Sequence, residues 1–544
     1  MTTQGAGPHM KSLSRWFTTA LVTVSIAAAA GCGSSSSEGG NATATGEPKT
    51  GGTVRAALGG DPQTLDMSMA GGLTRITMQH VFESLFALDA QLRPQPMLAD
   101  SYTVSDDGLT YTIKLRTGVK FHDGSTMTAT DVKASFDRWI AVSPNSKNVK
   151  GNVKSSEATD DSTFVITLNS VRSTLISDLA WIQGPFVIIP ASVATAAGTK
   201  PIAPDRIVGT GPYKMESYNP GRNLTLARFD GYQGRTENPS GRAGAKHAYL
   251  DKIVYSFVTD SQQRLNGLKT SQYDWVQTVD ADQLQSLAND RSFVVEPATD
   301  RNLNVVFLNG AEGSVFHSLQ ARQAVNAAID KPAIAKAMFG PENLWSPLTG
   351  ALVSPSVPDV HSEAGLNLWS EHNTEKAKSL LAAGLNRPIK ILTTKTYPYM
   401  YQWAVAVQGQ LSAIGVKADI EVLDYPSMVG KAVDDPKSWD MMTTYTLASF
   451  GNVAQVEWFN GSLAPYGAFP TQEYKTGVNE LLAKYVVAKD QTTAHQYVDQ
   501  LQQLFYDTMP ALVLGEVSDV NPHSRKLVLG TSYTNIFWNA SLRG

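Results

Sequence analysis

The stretch from Asp106 to Trp139 reads DDGLTYTIKLRTGVKFHDGSTMTATDVKASFDRW, and it carries two periodicities in succession. Tyr111, Ile113 and Leu115 alternate with Thr112, Lys114 and Arg116, the period of a strand with one buried face. Thr117-Gly118 turns the chain, Val119 to Phe121 reads as a short second strand, and Asp123-Gly124 turns it again. Thr128 and Asp131 then have capping-box spacing, with Asp in place of Glu, so a helix is predicted to open there. Val132, Phe136, Trp139 and Ile140 fall on one stripe of that helix. A β-hairpin followed by an amphipathic helix is expected.

The chain around this stretch has 544 residues, too many for one hydrophobic core, so two or three domains are expected. A hydrophobic content of 42% and a charged content of 17% describe an ordinary globular protein. The formal charge of -4, with no block of basic residues, argues against a nucleic-acid partner. Lys11 and Arg15 precede an apolar run from Trp16 to Ala30 that ends at Gly31-Cys32. That is a charged region, an apolar segment short for a membrane span, and a small-residue cleavage site, so residues 1–31 read as a signal peptide. Met10 starts a conventional leader, which makes Met1 to His9 an extension of it. Cys32, the single cysteine, is expected to be lipidated, although Ala29 stands where such boxes usually carry Leu. Residues 32–50 form a Ser/Gly/Asn/Thr tether, and one cysteine leaves no internal disulfide.

Further along, Gly51 to Leu58 reads as a strand, Thr74 to Leu88 as a helix, Thr163 to Leu168 as a strand and Leu175 to Ile182 as a helix. In Val208-Gly209-Thr210-Gly211-Pro212-Tyr213 the glycines are expected to supply positive φ. Residues 388–423 give the cleanest derivation. A strand at Ile389 and Ile391 is followed by a helix marked by Met400, Trp403, Val407 and Leu411 and closed by Gly415. A second strand then alternates Val416, Ala418, Ile420 and Val422 with Lys417, Asp419 and Glu421. This β-α-β unit requires a parallel strand pair, with ligands bound beyond its carboxyl ends. There the loop Lys395-Thr396-Tyr397-Pro398-Tyr399 lies.

The opening stretch also resembles the signature block of the extracellular solute-binding proteins of family 5, the dipeptide-, oligopeptide- and nickel-binding subunits of ABC importers. Gly108, Leu115-Arg116, Gly118, Phe121-His122-Asp123-Gly124, Ala129 and Asp131-Val132 fill that block. Similar landmarks are Leu65-Asp66, with Met67 where Pro is usual, the Gly209 to Tyr213 turn, the block Arg322 to Asp330, and Met509-Pro510. The resemblance covers almost everything from Gly51 to Asn539. It implies an α/β, periplasmic-binding-protein-like fold, with two lobes, a hinge and an extra subdomain in the first lobe. The expected boundaries are 51–304 for lobe I, including a subdomain at roughly 81–205, then 305–514 for lobe II and 515–544 for the return.

A search for catalytic motifs finds no HExxH, GxSxG, Walker loop or GxGxxG, and the nine histidines are scattered. No catalytic residue, metal or cofactor is expected. The resemblance implies a substrate-binding lipoprotein on the outer face of the cytoplasmic membrane, or in the periplasm. It would be a monomer that captures a peptide or small solute and delivers it to an ABC permease. Leu65, Asp66, Lys395, Tyr397, Tyr399, Phe450, Asn452 and Trp458 are its expected ligand-binding residues. In peptide-binding relatives an Arg beside a Tyr faces the ligand's carboxylate. Lys395 and Tyr397 occupy those places here, and Lys offers a point charge without the bidentate fork. The same relatives carry an Asp that meets the peptide's ammonium, whereas Thr443 to Gln455 contains no carboxylate and the next is Glu457. An uncompensated buried ammonium is costly. A non-peptide solute (opine, sugar conjugate or aromatic compound) therefore stays open beside a peptide, as do a secreted hydrolase and a cell-surface sensor or chaperone.

Overall fold

The computed structural model describes residues 48–69, 72–279, 281–339, 348–382, 387–395, 397–461, 463–464, 467, 470–531, 533 and 535–543. The leader, Cys32 and most of the tether lie outside the described residues.

Strand Thr110–Leu115 buries Tyr111, Ile113 and Leu115, as the alternation requires. It pairs antiparallel with Ala99–Val104 on one edge and with Thr163–Leu168 on the other. Val153–Asp160 completes a four-stranded sheet. With both edges of Thr110–Leu115 taken, residues 119–121 have no strand to pair with. They make only the bridge between Lys120 and Thr126, so the expected hairpin is a turn. Helix Ala129–Val142 does begin after Thr128, whose backbone N–H donates to Asp131 Oδ2 at 2.9 Å. Its Phe136 meets Phe164 of the sheet edge-on at 5.5 Å.

The first lobe is built on a sheet of seven strands among the described residues. Their order is Phe293–Val294, His523–Ser524, Trp275–Val276, Thr53–Leu58, Lys252–Phe257, Asn223–Arg228 and Tyr213–Asn219. The helix expected over 74–88 stops early, at Gly72–Met78. Beyond it, carbonyls that a helix would use internally accept from other segments: His80 O from Tyr213 N, Val81 O from Gly211 N, and Glu83 O from Ile188 N. This contact also explains the Gly209 to Tyr213 turn. Neither Gly209 nor Gly211 has positive φ. A Cβ at Gly209 would instead lie 2.1 Å from Val81 O, and one at Gly211 2.4 Å from His80 O. The glycines are there for close backbone approach.

His122, from the opening stretch, locks onto the same turn. Its Nδ1 accepts from Gly209 N at 3.2 Å and its Nε2 donates to Gly211 O at 2.9 Å. Burial pushes its pKa down to about 4, so the ring is neutral.

Two strands cross between the lobes. Pro297–Leu308 leads out and Ala511–Val520 leads back, paired antiparallel with each other. Both belong to the five-stranded sheet of the second lobe, in the order Ala418–Leu423, Ile389–Thr394, Met441–Leu447, Pro297–Leu308, Ala511–Val520. Ile389–Thr394 and Ala418–Leu423 are parallel in register, joined by helix Pro398–Ala413, and Gly415 has φ +82°. Arg322 braces this lobe from inside by donating to the carbonyls of Thr508, Phe316 and His317.

Two outcomes are expected. Gly211→Ala destabilises the protein by about 1–3 kcal/mol, as overpacking against rigid backbone does, measured by urea unfolding. His122 binds its proton in the unfolded chain near pH 6.5 but in the native state only near pH 4. Its contribution to stability is therefore complete above about pH 6.5 and is lost as pH falls toward 4. His122→Gln flattens this part of the stability–pH curve, read from urea midpoints.

Candidate functional site

The carboxyl ends of the second lobe's parallel strands carry a tyrosine patch. Beyond Ile389–Thr394, Lys395 is exposed, with its ammonium 4.5 Å from the centre of the Tyr401 ring. Tyr397 meets Tyr425 edge-on at 5.3 Å and Tyr399 at 5.9 Å. Tyr399, half-buried, reaches Trp403 at 4.9 Å and Tyr445 at 6.5 Å. Tyr397 and Tyr445 remain 37% and 38% exposed. Lys395 thus packs on Tyr401, whereas Tyr397 packs on Tyr399 and Tyr425. Thr396, between them, lies outside the described residues.

The loop after Met441–Leu447 reaches across to the first lobe's subdomain. Phe450 is buried and stacks on Trp181 at 5.5 Å and 22°. Asn452 Nδ2 donates to Ser177 Oγ at 3.0 Å and to Asp178 Oδ1 at 3.3 Å, and Gln455 Nε2 donates to Ser177 O at 2.9 Å. Arg172 Nε and Thr174 Oγ1 hold the other oxygen of Asp178. Gly451 fits against this surface, where a Cβ would stand 2.9 Å from Leu92 O. The structure therefore spends Phe450 and Asn452 on lobe-to-lobe contact.

Three other expected residues lie elsewhere. Trp458, on the short helix Glu457–Asn460, turns into the second lobe's core between Phe307 at 5.3 Å and Phe505 at 5.1 Å. Leu65 is buried in the first lobe's core. Asp66 is wholly buried, its carboxylate accepting from Arg138 Nη2 at 2.5 Å and from Ile202 N at 3.1 Å. That carboxylate is committed to packing. Glu457 is half-buried and accepts from Leu447 N at 3.1 Å. Burial raises its pKa to about 7.

On the first lobe, a cavity of about 60 Å³ lies beside Trp181. Arg75, Glu83, Arg242, Lys246 and Trp538 are among its lining residues, and none was expected from the sequence. They come from segments up to several hundred positions apart, with no spacing to mark them. Among the described residues no group of three or more His, Cys, Asp or Glu is placed to hold a metal, and no helix is long and apolar enough to cross a membrane.

The family model for bacterial extracellular solute-binding proteins, family 5 Middle, matches residues 93–465. The chain is 27% identical to a probable peptide ABC transporter periplasmic-binding protein of Sinorhizobium fredii, covering 90% of this chain and 93% of that one. It is 26% identical to the glutathione-binding protein GsiB of Escherichia coli K12, over 87% of this chain and 91% of that one. Among solved structures it superposes on DppA of Helicobacter pylori, in complex with the peptide STSA, with a TM-score of 0.75. That match covers 91% of this chain and 99% of the other at 23% identity, a likeness of fold.

Glu457→Gln tests the carboxyl beside the Phe450 loop. In the native state Glu457 ionises near pH 7 and in the unfolded chain near 4.5, so its burial costs stability as pH rises through that window. The amide keeps an acceptor for Leu447 N. Expected is a gain of about 1–2 kcal/mol at pH 8 and none near pH 4, measured by urea unfolding.

Proposed function

The chain belongs to the bacterial extracellular solute-binding proteins, family 5, and from that membership we propose that it serves an ABC importer by capturing a peptide or peptide-like solute between its lobes. The observation that carries this reading is the half-exposed tyrosine patch around Tyr397, Tyr399 and Tyr445. It sits beside a loop that already reaches the opposite lobe through Phe450 and Asn452. Tyrosine supplies a flat apolar face with a polar tip, which suits a small solute of mixed character. The peptide and glutathione binding named for the two relatives agrees with such a ligand.

In this reading the lobes swing on the two crossing strands, and the solute shifts the balance toward the closed form, which the permease receives. Lys395 offers a cation to an acidic end of the solute. Lobe I spans 51–304, lobe II 305–514 and the return 515–544. Export would leave Cys32 lipidated at the outer face of the cytoplasmic membrane, with residues 32–50 as its tether and the protein a monomer. No covalent chemistry is assigned to the site.

A second reading, a non-peptide solute, is favoured by the region 443–457. Asn452 faces Ser177 and Asp178 there, and Glu457 has a pKa near 7, so a free ammonium would find a weak counter-charge.

Native mass spectrometry of the mature protein, followed by release of bound mass, tests both. A retained small solute that raises the melting temperature when added back is the expected result. Tyr399→Ala should weaken its binding about tenfold, or about 1.4 kcal/mol. A released peptide with a free N-terminus would exclude the second reading. An empty protein that no solute panel stabilises would overturn capture and favour a sensor or chaperone.

A further inference from the structure

The first lobe's sheet has two distinct ends. Thr53–Leu58 and Trp275–Val276 pair in parallel, and His523–Ser524 is antiparallel both to Trp275–Val276 and to Phe293–Val294. Those three outer strands therefore run in one direction. From the carboxyl end of Phe293–Val294 the chain passes into the crossing strand Pro297–Leu308, so that end adjoins the second lobe. The amino end lies on the far side, and there residues 32–50 join the fold at Gly51 and Gly52.

An open groove of about 680 Å³ lies at this far end. It forms where helix Ser261–Lys269 stops, where the chain turns before Phe293, and where Ser524 leads into Arg525 and Lys526. The last of these segments reaches the root of the tether. Arg543 N donates to Lys526 O at 2.8 Å, Leu527 pairs with Leu542, and a Cβ at Gly52 would stand 3.0 Å from Leu542 Cδ1.

Three exposed cations line the groove, Lys269, Arg525 and Lys526, against one carboxylate, Asp290. Arg525 Nε donates to Arg291 O at 2.8 Å and its Nη2 to Phe293 O at 3.1 Å. Neutral carbonyls thus hold the guanidinium in place, take two of its five N–H donors and leave its charge uncompensated. Asp290 Oδ1 accepts from Ser292 N at 2.8 Å, and Lys269 draws on this carboxylate electrostatically without pairing with it. Lys526 has no ion-pair partner among the described residues. Elsewhere on the same sheet the exposed cations are paired: Arg55 with Asp274, Lys252 with Glu216 and Arg228 with Asp230. The excess of positive charge is confined to the groove, on a chain whose formal charge is -4.

We propose that this groove is the surface on which the protein rests against the membrane, with anionic phospholipid head groups meeting Lys269, Arg525 and Lys526. The proposal rests on the reading of Cys32 as a lipid anchor. A flexible tether of this length and composition spans about 25 Å, which keeps the far end of the first lobe within reach of the bilayer. Docking at that end leaves the boundary between the lobes clear for solute.

The mature chain from Gly33, purified without lipid, is tested by co-sedimentation with vesicles. Equimolar phosphatidylglycerol and phosphatidylcholine are compared with phosphatidylcholine alone. Expected is binding to the anionic vesicles only, weakening as salt rises. Lys269→Gln, Arg525→Gln and Lys526→Gln, each checked for folding by circular dichroism, should weaken it about fivefold apiece, and the triple variant about a hundredfold. Lys417→Gln combined with Lys437→Gln, a like change of charge on the second lobe, should leave it intact. No binding to anionic vesicles, binding that survives in the triple variant, or an equal loss in the second-lobe control overturns the proposal. So does a response to inorganic phosphate or to polyglutamate that depends on the same residues without any vesicle binding, which would assign the groove to a free anion or an acidic protein. The mass of the exported protein tests the anchor separately: an unmodified Cys32 beside groove-dependent vesicle binding supports the surface and overturns the anchor.

Discussion

The pairing of Pro297–Leu308 with Ala511–Val520 holds the two lobes in one molecule, because the chain passes between the lobe sheets on these two strands. Their ladder is not regular. Asn304 faces Gly515 and Val305 faces Val513, so the return strand carries an extra residue at that point. Gly515 adopts φ +136°, and a Cβ there would stand 2.2 Å from Leu348 Cδ1. Nearer the first lobe, Arg301 Nε meets Glu516 at 3.1 Å, and Ser354 Oγ donates to the same carboxylate. Burial raises the pKa of Glu516, against the pull of Arg301. A bulged, hydrogen-bonded ribbon of this kind bends at one place while keeping its register, which is what a hinge requires.

Away from the ribbon the lobes also touch through the Phe450 loop and through Ser173, which donates to Val486 O. The Phe450–Trp181 stack contributes about 0.5–1.5 kcal/mol beyond its burial. Each of the hydrogen bonds from Asn452 and Gln455 contributes a net of about 0.5–1.5 kcal/mol. Against them, Asn452 Oδ1 is buried with no hydrogen-bond partner, at a cost of about 1–3 kcal/mol. The wholly buried Asp66–Arg138 pair stands apart from this boundary, because separating it would strand two charges inside the first lobe.

Much of the fold was legible along the chain. Residues 388–423 announce a parallel β-α-β unit through a change of period from two to 3.6 and back, and that unit is present. The cap at Thr128 and the buried face of Tyr111, Ile113 and Leu115 were readable because each is decided by neighbours a few residues away. Where reading failed, a distant segment had intervened. The helix expected to Leu88 ends at Met78 because Ile188, Gly211 and Tyr213 take carbonyls of the segment that follows. The strand expected at 119–121 has no free edge to join.

The same division holds for the candidate site. Tyr397, Tyr399 and Lys395 follow from where a parallel strand ends, which local periodicity reveals. Trp458 and Asp66 looked equally suitable by residue type, yet one turns into the second lobe's core and the other is bound to Arg138. Arg242, Lys246 and Trp538 carry no local signature, since only the return of the chain end against helix Gly72–Met78 brings them together; there Phe537 N donates to His80 Nε2 at 2.9 Å. The sequence alone determined the family through contiguous motifs, the two-lobed α/β class through the resemblance those motifs carry, and the strand whose end carries the tyrosines through short-range periodicity. Tertiary structure decided which polar side chains face a cavity and which are spent on packing, because that depends on partners hundreds of residues away.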